Sequence, residues 1–114
     1  MPPDDEVRIR HMADAVATAL RFVDGRDRAA LDDDEMLVLA LTKLVEIVGE
    51  AAKQVTSETR EQYPAVPWSA AARMPDRLIH HYFDIDLDVL WSTVETDLPG
   101  LIAILPRAIE EDSP

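Results

Sequence analysis

The sequence predicts an all-α fold, a compact up-and-down bundle of four to five helices. Most of the chain reads as amphipathic helix, with apolar residues returning at three- and four-residue intervals. Only three glycines and 5% aromatic residues argue against an all-β alternative. An apolar fraction of 47% in 114 residues supplies one core. Residues 1–114 are therefore expected to form a single domain, with no internal repeat or low-complexity tract.

Pro2 and Pro3 followed by Asp4 and Asp5 mark a helix start, with acids at the positive end of the helix dipole. The first helix is expected from about Asp5 to Asp24, stopped by Asp24-Gly25. Two sets keep helical spacing along it: Val7, His11, Ala15, Thr18 and Phe22, and Ile9, Met12, Val16, Ala19 and Val23. Arg26 to Leu31 reads as a polar connector. A second helix is expected from near Asp32 or Asp33 to Val55, on the stripe Leu37, Leu41, Leu44, Val48, Ala51 and Val55. Val38, Leu39, Val45 and Ile47 spread its apolar character around the cylinder, which suits a central helix or a subunit interface.

Thr56 to Gln62 forms either a short helix or a capped turn. Tyr63 to Trp68 contains Pro64 and Pro67 and is an extended link, because a residue before proline is biased away from helix. A third helix is expected from Trp68 to His81, and a fourth from a cap at Asp86 to about Val94. Asp97-Leu98-Pro99 restarts or kinks the chain, with Asp97 as N-cap and proline in the first turn. Leu98, Leu101 or Ile102, Leu105 and Ile109 form the last buried stripe, and Pro106 is expected to bend that helix.

Chemistry concentrates in one stretch. Residues 73–86 bring together Arg73, Arg77, His80, His81, Tyr82, Asp84 and Asp86. On a regular helix Arg73, Arg77 and His80 fall at i, i+4 and i+7, nearly one face. Guanidiniums and imidazoles on one face can hold a phosphate and move protons near neutral pH. The plainer reading makes His80 a hydrogen-bonded residue at a helix end and pairs Arg73 and Arg77 with Asp76, Asp84 or Glu50. His81 reads as a surface residue.

Bulk composition narrows the alternatives. No cysteine is present, which excludes disulfides and thiolate metal sites and is compatible with a reducing cytoplasm. The acidic, proline-containing start is unlike a secretory leader, and no apolar run approaches the ~20 residues of a membrane span. The net charge of −12 opposes binding to phosphate in general. That charge is uneven. Residues 84–112 carry eight carboxylates against one arginine, whereas residues 60–83 carry three arginines and two histidines against two acids. Asp84, Asp86 and Asp88 with Glu95 imitate the acid spacing of a calcium loop, but Val89 stands where that loop needs glycine. His80, His81 and Asp84 lack a third ligand geometry for zinc. Trp68 and Trp91 read as core or interface anchors, and Gly49 as a site of close helix packing.

The order of four segments resembles the HepT-like family of HEPN-domain toxins. They are Glu46 to Lys53 in the second helix, Tyr63 to Trp68 in the link, Arg77-Leu78-Ile79-His80-His81-Tyr82-Phe83-Asp84, and Leu90-Trp91 followed by Asp97-Leu98-Pro99. The similarity runs from about Ile9 to Ile109. It implies a HEPN-like helical bundle and a metal-independent endoribonuclease that needs no cofactor. It also implies a homodimer, an RNA substrate and an MNT-type nucleotidyltransferase antitoxin as partner. Carried over by position, His80 is the family's catalytic histidine and Tyr82 the acceptor of AMP from the antitoxin. The family's usual arginine, five residues before the histidine, falls on Pro75. Arg73, seven before, satisfies a looser spacing, and Arg77 lies nearby.

The expected function is therefore that of a toxin ribonuclease in a toxin–antitoxin pair, with Arg73, Arg77 and His80 as catalytic residues and Tyr82 as the modification site. The rival is a non-catalytic helical binding module that keeps the antitoxin interface and has lost nuclease activity through Pro75.

Overall fold

The computed structural model describes residues 1–81 and 84–106. Helix α1 spans Pro3–Val23, α2 Ala30–Asp33, α3 Glu35–Gln54, α4 Ser57–Gln62 and α5 Trp68–Leu78. A two-stranded antiparallel ribbon follows, β1 at Ile79–His81 and β2 at Asp84–Ile85. Helix α6 covers Leu87–Ser92, a π-helical turn Thr93–Asp97, and α7 Leu98–Ile104. The fold is the expected all-α bundle. α1, α3, α5 and the α6–α7 rod are its long members, with α3 between α1 and α5.

The core follows the predicted stripes. Ile9, Met12, Val16 and Ala19 are buried on α1, while Val7, His11 and Phe22 of the alternative set are exposed. On α3, Leu37, Leu41, Val48 and Ala51 are buried, joined by Val38 and Val45; Leu44 of the stripe is half-buried, and Val55 is buried at the C-cap. Trp68 is buried as an anchor and donates its indole N–H to the Tyr63 carbonyl at 3.0 Å. Gly25, at φ 74°, takes the left-handed turn that ends α1, a conformation glycine adopts without a Cβ penalty.

Four boundaries differ from expectation. The acidic block divides: Asp32 and Asp33 end the short α2, and Asp34 becomes the N-cap of α3, accepting the Leu37 N–H at 3.0 Å. Only Asp34 has the extended backbone from which a side chain reaches forward to an unpaired N–H. The third helix stops at Leu78 rather than His81, because Ile79 turns extended (φ −112°, ψ 121°) to pair with Ile85. Asp97 is not a cap. Its backbone is helical and its side chain makes no capping bond, since α6 runs through the π-turn into α7 without interruption. Pro99 lacks an N–H, and a widened turn just before it accommodates the missing donor and the ring. Finally, α7 ends at Ile104, so Pro106 follows the helix instead of bending it. Ile109 lies outside the described residues.

Two contacts fix the long helices. Gly49 is buried in α3 opposite Pro75 of α5. A Cβ on Gly49 would stand 2.5 Å from Pro75 Cγ, 2.6 Å from Cδ and 3.3 Å from the Ala72 carbonyl oxygen. Close helix packing is thus what Gly49 permits. Pro75 cannot donate to the Ala71 carbonyl, and its ring is instead seated on the neighbouring helix.

The second contact is Asp5, 1% exposed at the start of α1. It accepts the Thr56 N–H at 3.1 Å and the hydroxyls of Thr56 and Thr59 at 2.6 Å each. Burial opposes its ionisation, but the bonds from Thr56 and Thr59 outweigh burial and hold its pKa below the usual carboxylate value. Arg60 completes this junction. It donates to the carbonyls of Ala52, Lys53 and Val55 at the C-terminal end of α3, where the Ala52 carbonyl also takes the Val55 N–H at 3.4 Å.

Gly49→Ala is expected to cost roughly 1–3 kcal/mol of stability by overpacking. Adding Pro75→Ala should recover part of that loss in a double-mutant cycle of urea unfolding, and simple additivity would refute the contact. Asp5→Ala should cost roughly 1.5–3 kcal/mol, since it leaves the buried Thr59 hydroxyl without its acceptor. Because the folded pKa of Asp5 is depressed, its contribution is fully present above the unfolded value near 3.8 and fades as pH falls through the lower folded pKa. Urea midpoints of wild type and Asp5→Ala should therefore converge in acid.

Candidate active site

The site begins where α5 gives way to the ribbon. Ala71, Met74 and Leu78 face the core, so the opposite side of α5 carries Arg73, Asp76 and Arg77 into solvent. Arg73 and Arg77 are one turn apart on that exposed side. Among the described residues neither forms an ion pair with Asp76, Asp84 or Glu50; Glu50 is paired with Lys53 at 3.3 Å. Arg73 also borders an open groove formed with Arg60, Glu61, Pro64, Pro67 and Trp68.

His80 does not continue the helical face of the two arginines. It lies in β1, beyond the end of α5, so the i, i+4, i+7 alignment is lost. What the structure brings to His80 is Asp86. His80 Nε2 lies 2.8 Å from Asp86 Oδ2, while Asp86 Oδ1 accepts the Val89 N–H at 3.0 Å and caps α6. The Asp86 N–H in turn donates to the Leu78 carbonyl at 2.7 Å. The predicted cap is therefore present, and its second oxygen does a task that the sequence reading missed. The Val89 N–H, then the His80 bond, hold the Asp86 carboxyl below its ordinary pKa.

The His80 side chain is 58% exposed, against 25% for Asp86. The imidazole is thus open to an incoming molecule, with its carboxylate partner more covered. His81 is exposed and pairs with Asp84 in the ribbon register. Among the described residues no cluster of three histidine or acidic side chains is arranged to hold a metal ion. Tyr82, the expected modification site, lies outside the described residues.

This arrangement can bind an anion and exchange a proton, provided that both arginines and His80 meet the same substrate. Comparison with known proteins places it in a family. Residues 12–108 match the ribonuclease HepT-like family, and the chain belongs to that family. A "Probable ribonuclease HepT" of Thermococcus cleftensis is 43% identical over 68 residues, 60% of this chain and 62% of that protein. A Methanocaldococcus jannaschii protein named "Gamma-glutamylcyclotransferase and putative RNase" is 30% identical over 111 residues, 97% of this chain and 50% of its own length. A "Putative RNase" of Caldanaerobacter subterraneus subsp. tengcongensis is 40% identical over 68 residues, 60% of this chain and 61% of that protein. The chain thus spans half to somewhat under two thirds of these relatives. No solved structure matches it. No helix among the described residues is long and apolar enough to cross a membrane.

Proposed function

We propose that this chain is a single-domain, metal-independent endoribonuclease, the toxin of a toxin–antitoxin pair, acting in the cytoplasm as a homodimer. The observation that carries the reading is His80, exposed just past an arginine-bearing helix and hydrogen-bonded through one ring nitrogen, within the segment that resembles the family's active site. His80 accepts the proton of a ribose 2′-hydroxyl as O2′ attacks the adjacent phosphorus. The P–O5′ bond breaks, the departing oxygen takes a proton from water, and the products are a 2′,3′-cyclic phosphate and a 5′-hydroxyl. Arg73 and Arg77 offset the charge that develops on the phosphoryl oxygens. Met36 (81% exposed) and Leu39 (56% exposed) on α3, with Ile79 just past α5, supply apolar surface for the second copy.

The rival reading, a non-catalytic module that keeps the antitoxin interface, is favoured by one observation. Pro75, at the family's usual arginine position, is built into the α3–α5 contact. A cleavage assay on labelled RNA separates the two. Wild type should leave cyclic phosphate ends, and His80→Ala should lose at least ~100-fold in rate. Pro75→Arg adds a guanidinium and restores a helical N–H, and should raise the rate. Absence of cleavage by wild type, rescued in Pro75→Arg, is the result expected of the rival. Light scattering at micromolar concentration should give twice the chain mass, and a monomer would exclude the homodimer.

Control is proposed at Tyr82, by AMP transfer from an MNT-type nucleotidyltransferase. The added phosphodiester would compete with RNA for the arginines, and the nucleoside would fill the space beside His80. Incubation with that enzyme and ATP should add adenylate to the chain, read by intact mass. Undiminished adducts on Tyr82→Phe would move the acceptor elsewhere, with Tyr63 the other tyrosine to test.

A further inference from the structure

We propose that Asp86 is a positioning residue for His80: its carboxylate accepts the Nε2–H, fixes the imidazole in that tautomer, and leaves Nδ1 as the nitrogen that meets a substrate proton. The assignment of a role to Nδ1 rests on His80 being the proton-transfer group.

Geometry supplies the argument. An ionised carboxylate only accepts hydrogen bonds, so at 2.8 Å from Asp86 Oδ2 the Nε2 of His80 is the donor. A neutral imidazole carries one ring N–H, which makes Nδ1 the bare acceptor. Asp86 is held independently of His80 at two points. Oδ1 takes the Val89 N–H at 3.0 Å, and the Asp86 backbone N–H bonds the Leu78 carbonyl at 2.7 Å. One residue thus closes the mouth of the ribbon, starts α6 and orients the ring. The depressed pKa of Asp86 keeps it ionised where an imidazole titrates. The partly covered carboxylate lies behind a ring that faces solvent, the order expected of a base and its orienting group.

A merely structural clip between β1 and α6 would show the same distance, so the test must read the ring itself. Long-range proton–nitrogen NMR of uniformly nitrogen-15-labelled protein, at about pH 8 where an ordinary imidazole is neutral, reports which ring nitrogen bears hydrogen. His80→Gln identifies the resonances among those of His11 and His81. Wild type should show hydrogen on Nε2 of His80. In Asp86→Asn the amide oxygen stays with Val89 as the cap, and the amide nitrogen donates toward Nε2. The tautomer should then invert, with hydrogen on Nδ1. Asp86→Ser keeps a cap and removes the partner, so a mixture of tautomers is expected. Circular dichroism confirms that each variant is folded.

RNA cleavage by folded Asp86→Asn should fall at least ~100-fold. Hydrogen on Nδ1 in wild type, or a tautomer unchanged in both folded variants, overturns the pairing. Inversion without loss of cleavage overturns the positioning role. Should wild type fail to cleave RNA, the ribonuclease reading fails, whereas the spectra still decide the pairing of Asp86 with His80.

Discussion

Much of this structure depends on the absence of a side chain at Gly49. The α3 backbone there admits the Pro75 ring, and this approach sets how closely α5 lies against the central helix. A proline inside a helix ordinarily costs ~3 kcal/mol through a lost bond and a steric clash. Here the ring also occupies an inter-helix contact. With Ala71, Met74 and Leu78 buried on the same helix, the rotation of α5 is fixed, and Arg73 and Arg77 are left to solvent.

The burial of Leu78 then decides where His80 can be. Leu78 is 1% exposed and ends α5, while its carbonyl receives the Asp86 N–H. Helix, ribbon and the next cap therefore converge within nine residues, and His80 and Asp86 meet across them. The acidic composition matters less locally than the net charge suggests. Asp34 pairs with Arg26, Arg28 bridges Asp32 and Asp88, and Lys43 and Lys53 take Glu46 and Glu50. These exposed pairs add little stability. They offset charge near the acids and leave Arg73 and Arg77, among the described residues, outside the ion pairs.

The helical class and most of the core were legible because the stripes repeat over about four turns on α1 and five along α3, far longer than chance would sustain. Gly49 was legible as a packing position because a glycine interrupted a strong helical pattern, though its partner Pro75 was not. The end of α5 was missed for a definite reason. Arg77 to His81 contains no proline or glycine stop signal, and extension comes from pairing with Ile85, a contact that local spacing cannot contain. Asp86 showed its capping role through position alone, yet its second oxygen needed the fold to bring His80 back. Asp5 was read as a charge on a helix dipole. Its threonine partners lie 51 and 54 residues away, and nothing near Asp5 announces them.

The π-turn at Thr93–Asp97 sets the phase of the last rod. Leu90 and Val94 before or within it, and Leu98, Leu101 and Leu105 after it, all reach the core, and α7 lies against α1. Each residue of an α-helix advances the chain ~100° around its axis. The same residues wound entirely as ordinary α-helix would rotate the Leu98–Leu101 face by about that angle, off α1 and into water. The wide turn is thus an angular spacer: it lets the sequence around Asp97-Leu98-Pro99 hold one more residue than a straight helix could absorb, while the half of the rod attached to Asp86 keeps its own setting.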